Sequence, residues 1–336
     1  MSVTKIAIDF GSSNTSIFID GLGIVLKEPT LVAVTKLADG NPAVKCFGNE
    51  AKKILGKTDE NTTIFSPVYE GKIKKIEYAK LLISYFLSKV MVVKPFTKIE
   101  LLIPVSCGLT PKERNDFYEV FKTIKPKKII IIPKALCSAV GICVPIDSSN
   151  SNIIVDLGGG TIEVCVVNLN SIVKGATTSM GGRVLDLAIM GQLKVINKIL
   201  MGYTTAEKLK EEVMSLFPND TRNLEISGIG DDTHSPKNML VISQDLTEIA
   251  INFFEPIVEV VQTIINSCPP EVSADIMATG IKLCGGLSCL TGVENFFETK
   301  LGLNVELADE AENACIIGAG KLLCNNKQLT EIATQC

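Results

Sequence analysis

Two segments carry the same arrangement of residues: Lys5-Ile-Ala-Ile-Asp-Phe-Gly-Ser-Ser-Asn-Thr-Ser-Ile-Phe-Ile19 and Ile153-Ile-Val-Asp-Leu-Gly-Gly-Gly-Thr-Ile-Glu-Val-Cys-Val-Val167. In each, an apolar strand ends on an Asp, one residue precedes a glycine, and small residues turn the chain into a second apolar strand. A tip of Gly and Ser offers backbone N–H groups with no side chain in the way, a cradle for phosphate oxygens. The strand-end carboxylates, Asp9 and Asp156, are hard oxygen donors for Mg2+, directly or through water. One such hairpin reads first as an ordinary tight turn. Two in matching positions of two halves point to a polyphosphate clamped from both sides. A third turn, Gly285-Gly286, lies between a strand and a helix. It is either a plain strand-to-helix turn or a close backbone approach for the adenosine end of a ligand. Glu207, Lys210 and Glu211 sit at three- and four-residue spacings on a helix. By spacing alone they are a solvated face with an ion pair worth roughly 0.2–0.5 kcal/mol.

The elements that must position these groups follow from periodicity. The chain has 336 residues, 46% of them hydrophobic, enough for two cores at about 150 residues each. The repeated hairpins divide it into two related α/β lobes, 1–145 and 146–336. Helical spacing covers Glu77 to Val90, and Ile99 to Val105 is a strand. Thr110-Pro-Lys-Glu113 is a helix start with its cap, proline and capping-box glutamate in place, opening a helix from Lys112 to Lys122. Ile129 to Ile132 is a short strand followed by a helix through Ala139. Further helices are expected over Leu185 to Leu200, Ala206 to Leu216 and Asp245 to Ser267. A strand leads into Gly285, a helix follows through Leu301, and Gly318 to Cys324 belongs to a terminal helix. The stretch from Gly228 to Asn238 is the least patterned.

Composition removes several function classes. Lys+Arg is 33 against Asp+Glu 37, a net charge of −4, so no broad basic field invites nucleic acid. The one histidine, His234, excludes a multi-histidine metal site. The 11 cysteines include no CxxC and mostly sit in apolar runs such as Glu163-Val-Cys-Val-Val167; they read as reduced, buried thiols of a cytoplasmic protein. Met1 runs almost directly into a strand, so no signal peptide is expected. The longest apolar stretch, Ile129 to Ile146, is broken by Pro133, Lys134 and Pro145, which disfavours a membrane span.

The order Asp9-x-Gly-Ser-Ser-Asn-Thr, Asp156-x-Gly-Gly-Gly-Thr-x-Glu-Val and Gly285-Gly286 resembles the actin/Hsp70/sugar-kinase superfamily. The resemblance to the MreB family, the bacterial actins, runs over nearly the whole chain. It includes Lys27-Glu-Pro-Thr-Leu-Val-Ala33, Gly48-Asn-Glu-Ala-Lys-Lys-Ile-Leu-Gly56, Lys112-Glu-Arg114, Thr205-Ala-Glu-Lys-Leu-Lys210, Cys268-Pro-Pro-Glu271 and Gly318-Ala-Gly-Lys321. The resemblance implies an actin-like two-lobe fold of duplicated ribonuclease H-like domains. Lobe I would have its core in 1–30 and 75–145 and a small subdomain in 31–74, with the terminal helix 318–336 packing back on it. Lobe II would have its core in 146–180 and 255–317 and a small subdomain in 181–254. ATP and Mg2+ would lie between the lobes. Gly11, Ser12, Ser13 and Asn14 would hold phosphates from one side, and Gly158, Gly159, Gly160 and Thr161 from the other. Asp9 and Asp156 would face the metal. Glu207, Lys210 and Glu211 would line the ribose and adenine, and Gly285, Gly286 and Leu287 would lie against the nucleotide. The family polymerises on nucleotide binding into double, antiparallel protofilaments.

Three departures from the family pattern stand out, and two of them bear on hydrolysis. Where the pattern has a Glu that positions the attacking water, this chain has Lys134, within Pro133-Lys134-Ala135. An ammonium has donors and no acceptor, so it cannot take that water's proton, although it can pair with a terminal phosphate. The pattern's second Thr is Ile162, and the third glycine of the adenosine turn is Leu287. Loss of a general base costs about 10²–10⁴-fold in rate, so slow hydrolysis or none is expected. Such a protein would form long-lived filaments or regulate those of an active MreB paralogue. Paralogues coexist in wall-less helical bacteria such as Spiroplasma, where the family is linked to shape and swimming; three arginines among 33 basic residues fit such a genome.

Some MreB proteins bind membrane through an N-terminal helix or an apolar loop. The five residues before the first strand leave no room for the helix. The loop would be Met91, Val92 and Val93 between Lys89 and Lys94, placed to dip into an anionic inner membrane surface. The alternative is a buried lead-in to a strand. Two rival functions share the fold. A small-molecule kinase needs a carboxylate base near a sugar pocket, and none stands out; an Hsp70-like ATPase carries a peptide-binding region, and here the chain stops soon after Gly320.

Overall fold

The computed structural model describes residues 3–90 and 98–335. It opens on a meander: β1 (Val3–Phe10), β2 (Asn14–Ile19) and β3 (Gly23–Pro29), each antiparallel to the next. A separate antiparallel sheet follows, with β4 (Val32–Lys36) between β5 (Pro42–Phe47) and β6 (Thr62–Phe65), and α1 (Gly48–Lys53) leading out of β5. The two-residue strands β7 (Val68–Tyr69) and β8 (Lys72–Ile73) form a ribbon whose turn is Glu70-Gly71. After α2 (Ile76–Val90), the strand β9 (Lys98–Val105) returns parallel to β1. Next come α3 (Pro111–Lys122), β10 (Lys128–Pro133) parallel to β9, and α4 (Lys134–Gly141). The strand order of the first large sheet is β10-β9-β1-β2-β3.

The second half repeats that plan. Its meander is β11 (Asn152–Leu157), β12 (Ile162–Asn168) and β13 (Ser171–Thr178). A small unit is inserted: α5 (Gly182–Asn197), β14 (Ile199–Leu200), α6 (Tyr203–Glu212), β15 (Asn223–Gly230) and β16 (Pro236–Ile242). After α7 (Ser243–Asn266) and α8 (Pro270–Thr279), the strand β17 (Ile281–Cys284) runs parallel to β11. Then come α9 (Val293–Leu301), β18 (Val305–Leu307) parallel to β17, α10 (Ala314–Cys324) and α11 (Asn326–Gln335). The sheet order β18-β17-β11-β12-β13 matches the first sheet strand for strand. Asp9 pairs with Ser16 in the first hairpin, and Asp156 with Glu163 in the second, at equivalent positions.

Each lobe has its own core. Ile6, Ile8, Ile17, Leu82, Phe86, Leu101 and Phe121 anchor the first; Val155, Val164, Leu185, Phe254, Ile257 and Leu283 anchor the second. Along β12 the alternation is strict: Ile162, Val164 and Val166 pack into the second core, and Glu163, Cys165 and Val167 face the other way, towards the first lobe. A third cluster between the sheets joins α4 and α10, which cross at closest approach. A Cβ on Gly141 would overlap the carbonyl oxygen of Ala314, and one on Gly318 the carbonyl oxygen of Cys137. Both positions must stay without a side chain for the helices to touch.

Most of the expected elements sit where the periodicity places them, with four differences. The helix expected over Ala206 to Leu216 is α6, which starts at Tyr203 and ends at Glu212. The α5 helix stops at Asn197 because Lys198 takes a left-handed conformation (φ 51°), and Ile199–Leu200 then pairs with β15 instead of continuing the helix. The unpatterned 228–238 stretch belongs to the β15–β16 hairpin, and His234 sits exposed near its tip. A further helix, α11, follows Cys324. The capping box of α3 forms as expected: Thr110 Oγ1 accepts from the Glu113 N–H, and Glu113 accepts from the Thr110 N–H at 2.8 Å. Among the described residues no helix is long and apolar enough to cross a membrane. Burial of the thiols is mixed: Cys137, Cys165, Cys284 and Cys315 are buried, but Cys143, Cys289 and Cys324 are exposed.

Candidate functional site

The two hairpins close in the same way. Gly11 N–H donates to the Asn14 carbonyl at 3.1 Å, and Gly158 N–H to the Thr161 carbonyl at 3.0 Å. Their tips meet across the gap between lobes. A Cβ on Gly159 would run into Ser13, and one on Gly160 into Ser12. Gly71, in the small ribbon of the first lobe, donates its N–H to Ser12 Oγ at 3.0 Å and lies against Thr161. The tips enclose one end of a cavity of about 420 Å³, within the usual range for a small-molecule site.

That cavity brings together most of the residues expected from the sequence. Asp9, Gly11, Ser12, Ser13 and Asn14 line it from the first lobe. Asp156, Gly158, Gly159, Gly160 and Thr161 line it from the second. Glu207, Lys210, Glu211 and Leu287 form the far end, Lys134 lies at the floor, and the Gly285-Gly286 turn lines the cavity with Gly285 beside Asp156. Ile162 is not there. It is fully buried in the core of the second lobe, on the face of β12 opposite the cleft. Met91, Val92 and Val93 lie outside the described residues.

The floor is an ionic cluster. Lys134 is the first residue of α4, where the helix dipole disfavours a cation. It is held there by carboxylates. Lys134 Nζ lies 3.3 Å from Asp156 Oδ1 and 3.3 Å from Oδ2, and Ser138 Oγ donates to Asp156 Oδ2 at 2.8 Å. Burial alone would lower the basicity of Lys134, but the charges of Asp156 and Asp9 outweigh it and push the ammonium well above its ordinary value. Burial pushes the Asp9 carboxyl up; Lys134 opposes that rise and Asp156 adds to it. A glycine is required beside this cluster, since Gly285 has φ 86° and a Cβ there would stand 2.6 Å from Asp156 Oδ1.

Glu163, which the hairpin motif does not mark as a site residue, also lines the cleft. It is 1% exposed; its Oε2 accepts from the Cys107 N–H at 3.4 Å, and its Oε1 has no partner. Burial raises this carboxyl, Lys134 opposes the rise, and Asp156 reinforces it. Its signal was present in the sequence: a lone acid inside Ile162-Glu-Val-Cys-Val-Val167 has no reason to be there for packing. Behind it the thiols of Cys107 and Cys165, far apart in sequence, lie 3.8 Å from each other.

At the far end, two of the three charges assigned to the nucleoside, Lys210 and Glu207, are already paired. Lys210 Nζ forms an ion pair with Asp186 Oδ1 at 2.7 Å, with both side chains largely buried. Burial raises the Asp186 carboxyl against the pull of Lys210. Glu207 Oε2 is 2.8 Å from Lys52 Nζ, on α1 of the first lobe's small sheet unit, so the pair bridges the mouth of the cleft. Burial, then the neighbouring Glu207 charge, raises Glu211.

The comparisons agree with this architecture. The model of the MreB/Mbl protein family matches residues 3–331. The chain is 31% identical to the cell shape-determining protein Mbl of Bacillus subtilis over 98% of both chains. It is 30% identical to the cell shape-determining protein MreB of Escherichia coli over 96% of this chain and 94% of that one. The crystal structure of MreB5 of Spiroplasma citri bound to ADP superposes with a TM-score of 0.92 at 26% identity, covering 98% of each chain. The fold is therefore actin-like, and the chain belongs to the MreB/Mbl family.

Proposed function

We propose that this chain is a cytoskeletal protein that binds ATP between its lobes and assembles into filaments serving cell shape, or motility in a wall-less cell. The observation that carries the nucleotide reading is the contact of the two glycine-serine tips, which brings both small-residue turns to one end of the cavity, the kind of lining that lets phosphate oxygens approach the backbone. Ser12, Ser13, Asn14 and the 158–161 loop would hold the phosphates. The nucleoside would extend towards Glu207, Lys210, Glu211 and the Gly285-Gly286-Leu287 turn. The ADP-bound state of the Spiroplasma citri relative supports this reading. The names of the curated relatives support the cytoskeletal role. Self-association in paired antiparallel protofilaments, copolymerisation with a paralogue and attachment to an anionic membrane belong to the same proposal.

Hydrolysis is slow in this reading because Lys134, at the start of α4, brings an ammonium to the floor of the cleft in place of a proton acceptor. The protein then persists in the triphosphate state and stabilises filaments, its own or those of an active paralogue. Pelleting and negative-stain microscopy with ATP, ADP and a non-hydrolysable analogue test assembly; nucleotide-dependent paired strands are expected, and their absence in all three overturns it. Phosphate release by Lys134→Glu tests the hydrolysis argument. A rise of at least about tenfold is expected, and an unchanged rate removes Lys134 as the cause. Hexose phosphorylation by the purified chain would instead point to a kinase.

A further inference from the structure

Resting on the nucleotide reading above, we infer that the Lys134 ammonium takes the place of a divalent cation in this cleft, so that the chain holds its triphosphate without Mg2+. Family resemblance puts the metal beside Asp9 and Asp156. In this chain Asp156 already has a cation, and Asp9 lies in the field of the same charge. Lys134 Nζ is 3.3 Å from both oxygens of Asp156, and one of these oxygens also accepts from Ser138 Oγ at 2.8 Å. The two carboxylates and the ammonium line the same cavity floor. Mg2+ needs a near-octahedral shell of oxygens at about 2.0–2.1 Å, mostly waters. At the Asp156 side that shell would have to displace Lys134, or form within a few ångströms of a like charge. The donor set therefore does not fit the ion.

The ammonium is placed to do the ion's electrostatic work. It lies 3.6 Å from where a Cβ of Gly158 would be, beside the backbone of the second phosphate loop. It carries three N–H donors, enough to serve Asp156 and a phosphate oxygen together. Asp9 and Asp156 both line the cavity floor beside it. The position of Lys134 at the first turn of α4 would be electrostatically unfavourable without these carboxylates; the arrangement is a fixed cation site built from the chain's own atoms.

The test is nucleotide affinity, read by calorimetry on the full-length protein with ATP in excess Mg2+ and again in EDTA. The wild type is expected to bind with a dissociation constant that changes by less than about tenfold between the two. Lys134→Met, which removes the charge and keeps the stem, is expected to bind in Mg2+ and lose about tenfold or more of its affinity in EDTA. A wild-type affinity that falls by tenfold or more on chelation overturns the inference, and this arm decides even if the methionine variant does not fold. Equal metal independence in a folded Lys134→Met also overturns it, because the charge is then not the reason. Absence of ATP binding under both conditions overturns the nucleotide reading itself, and with it this inference.

Discussion

The Cα of Gly318 faces the carbonyl of Cys137 so closely that no Cβ fits between them. This contact joins α10 to α4, and the reciprocal one joins Gly141 to Ala314. The first turn of α4 carries Lys134, so the helix crossing sets the height of the ammonium in the cleft. Gly318→Ala must push the helices apart against a packed interlobe cluster. A loss of roughly 2–3 kcal/mol in urea unfolding is expected, at the upper end of overpacking costs. Gly191→Ala is the control. It lies within α5 with nothing near its absent Cβ, so alanine should stabilise by about 0.5–1 kcal/mol through helix propensity alone. A Gly318→Ala protein as stable as wild type would mean that α4 and α10 do not meet as described.

Glu163 predicts a pH dependence. Its carboxyl is raised by burial, so the folded state holds a proton over a range where the unfolded chain has lost it. The folded form then binds more protons than the unfolded one, and stability falls as pH rises from the unfolded carboxyl value towards the folded one. Above that window the full penalty of an ionised, half-satisfied buried carboxylate applies. Glu163→Gln removes the charge and keeps the shape. It should raise the unfolding free energy at pH 8 by roughly 1–3 kcal/mol, the usual cost of an uncompensated buried polar group, and have little effect near pH 4. Thermal unfolding of both proteins across pH 4 to 8 reads the difference; parallel profiles would show that Glu163 is fully satisfied in solution.

The parts of this molecule that read directly from sequence are those whose signals are local. The twin hairpins combine alternating apolar residues with Gly at the turns, and the α3 cap needs only four residues in a row. The β15–β16 hairpin was not legible because its strands lie in a small three-stranded sheet and expose about half their residues, so Gly228 and Gly230 interrupt rather than mark the alternation. The end of α5 was missed because Ile199 and Leu200 continue an apolar pattern; only the backbone conformation of Lys198 breaks it. The pairings at the site are tertiary. Nothing near Lys134 in sequence says that Asp156 will neutralise it, and Ile162 could be matched to a family position without its side chain facing the cleft. Lys52 is one of many lysines until α1 is placed opposite α6.

That placement gives the last prediction. Lys52 reaches 2.8 Å from Glu207, and the pair links the small units of the two lobes over the cleft mouth. Both side chains keep some solvent exposure, 43% and 22%, so the pair contributes little to global stability, about 0–1 kcal/mol. Its effect should appear in the opening of the cleft, because the pair spans the mouth by which the proposed nucleotide would leave. Lys52→Glu places two like charges across the mouth and should speed release of a fluorescent ATP analogue by about threefold to tenfold while leaving the unfolding midpoint nearly unchanged. The charge-reversed double variant, Lys52→Glu with Glu207→Lys, should bring release back towards the wild-type rate if the attraction across the mouth is what matters. Fast release in the double variant would instead assign the effect to Glu207 contacting the nucleotide itself, and unchanged release in Lys52→Glu would show that the latch is not closed in solution.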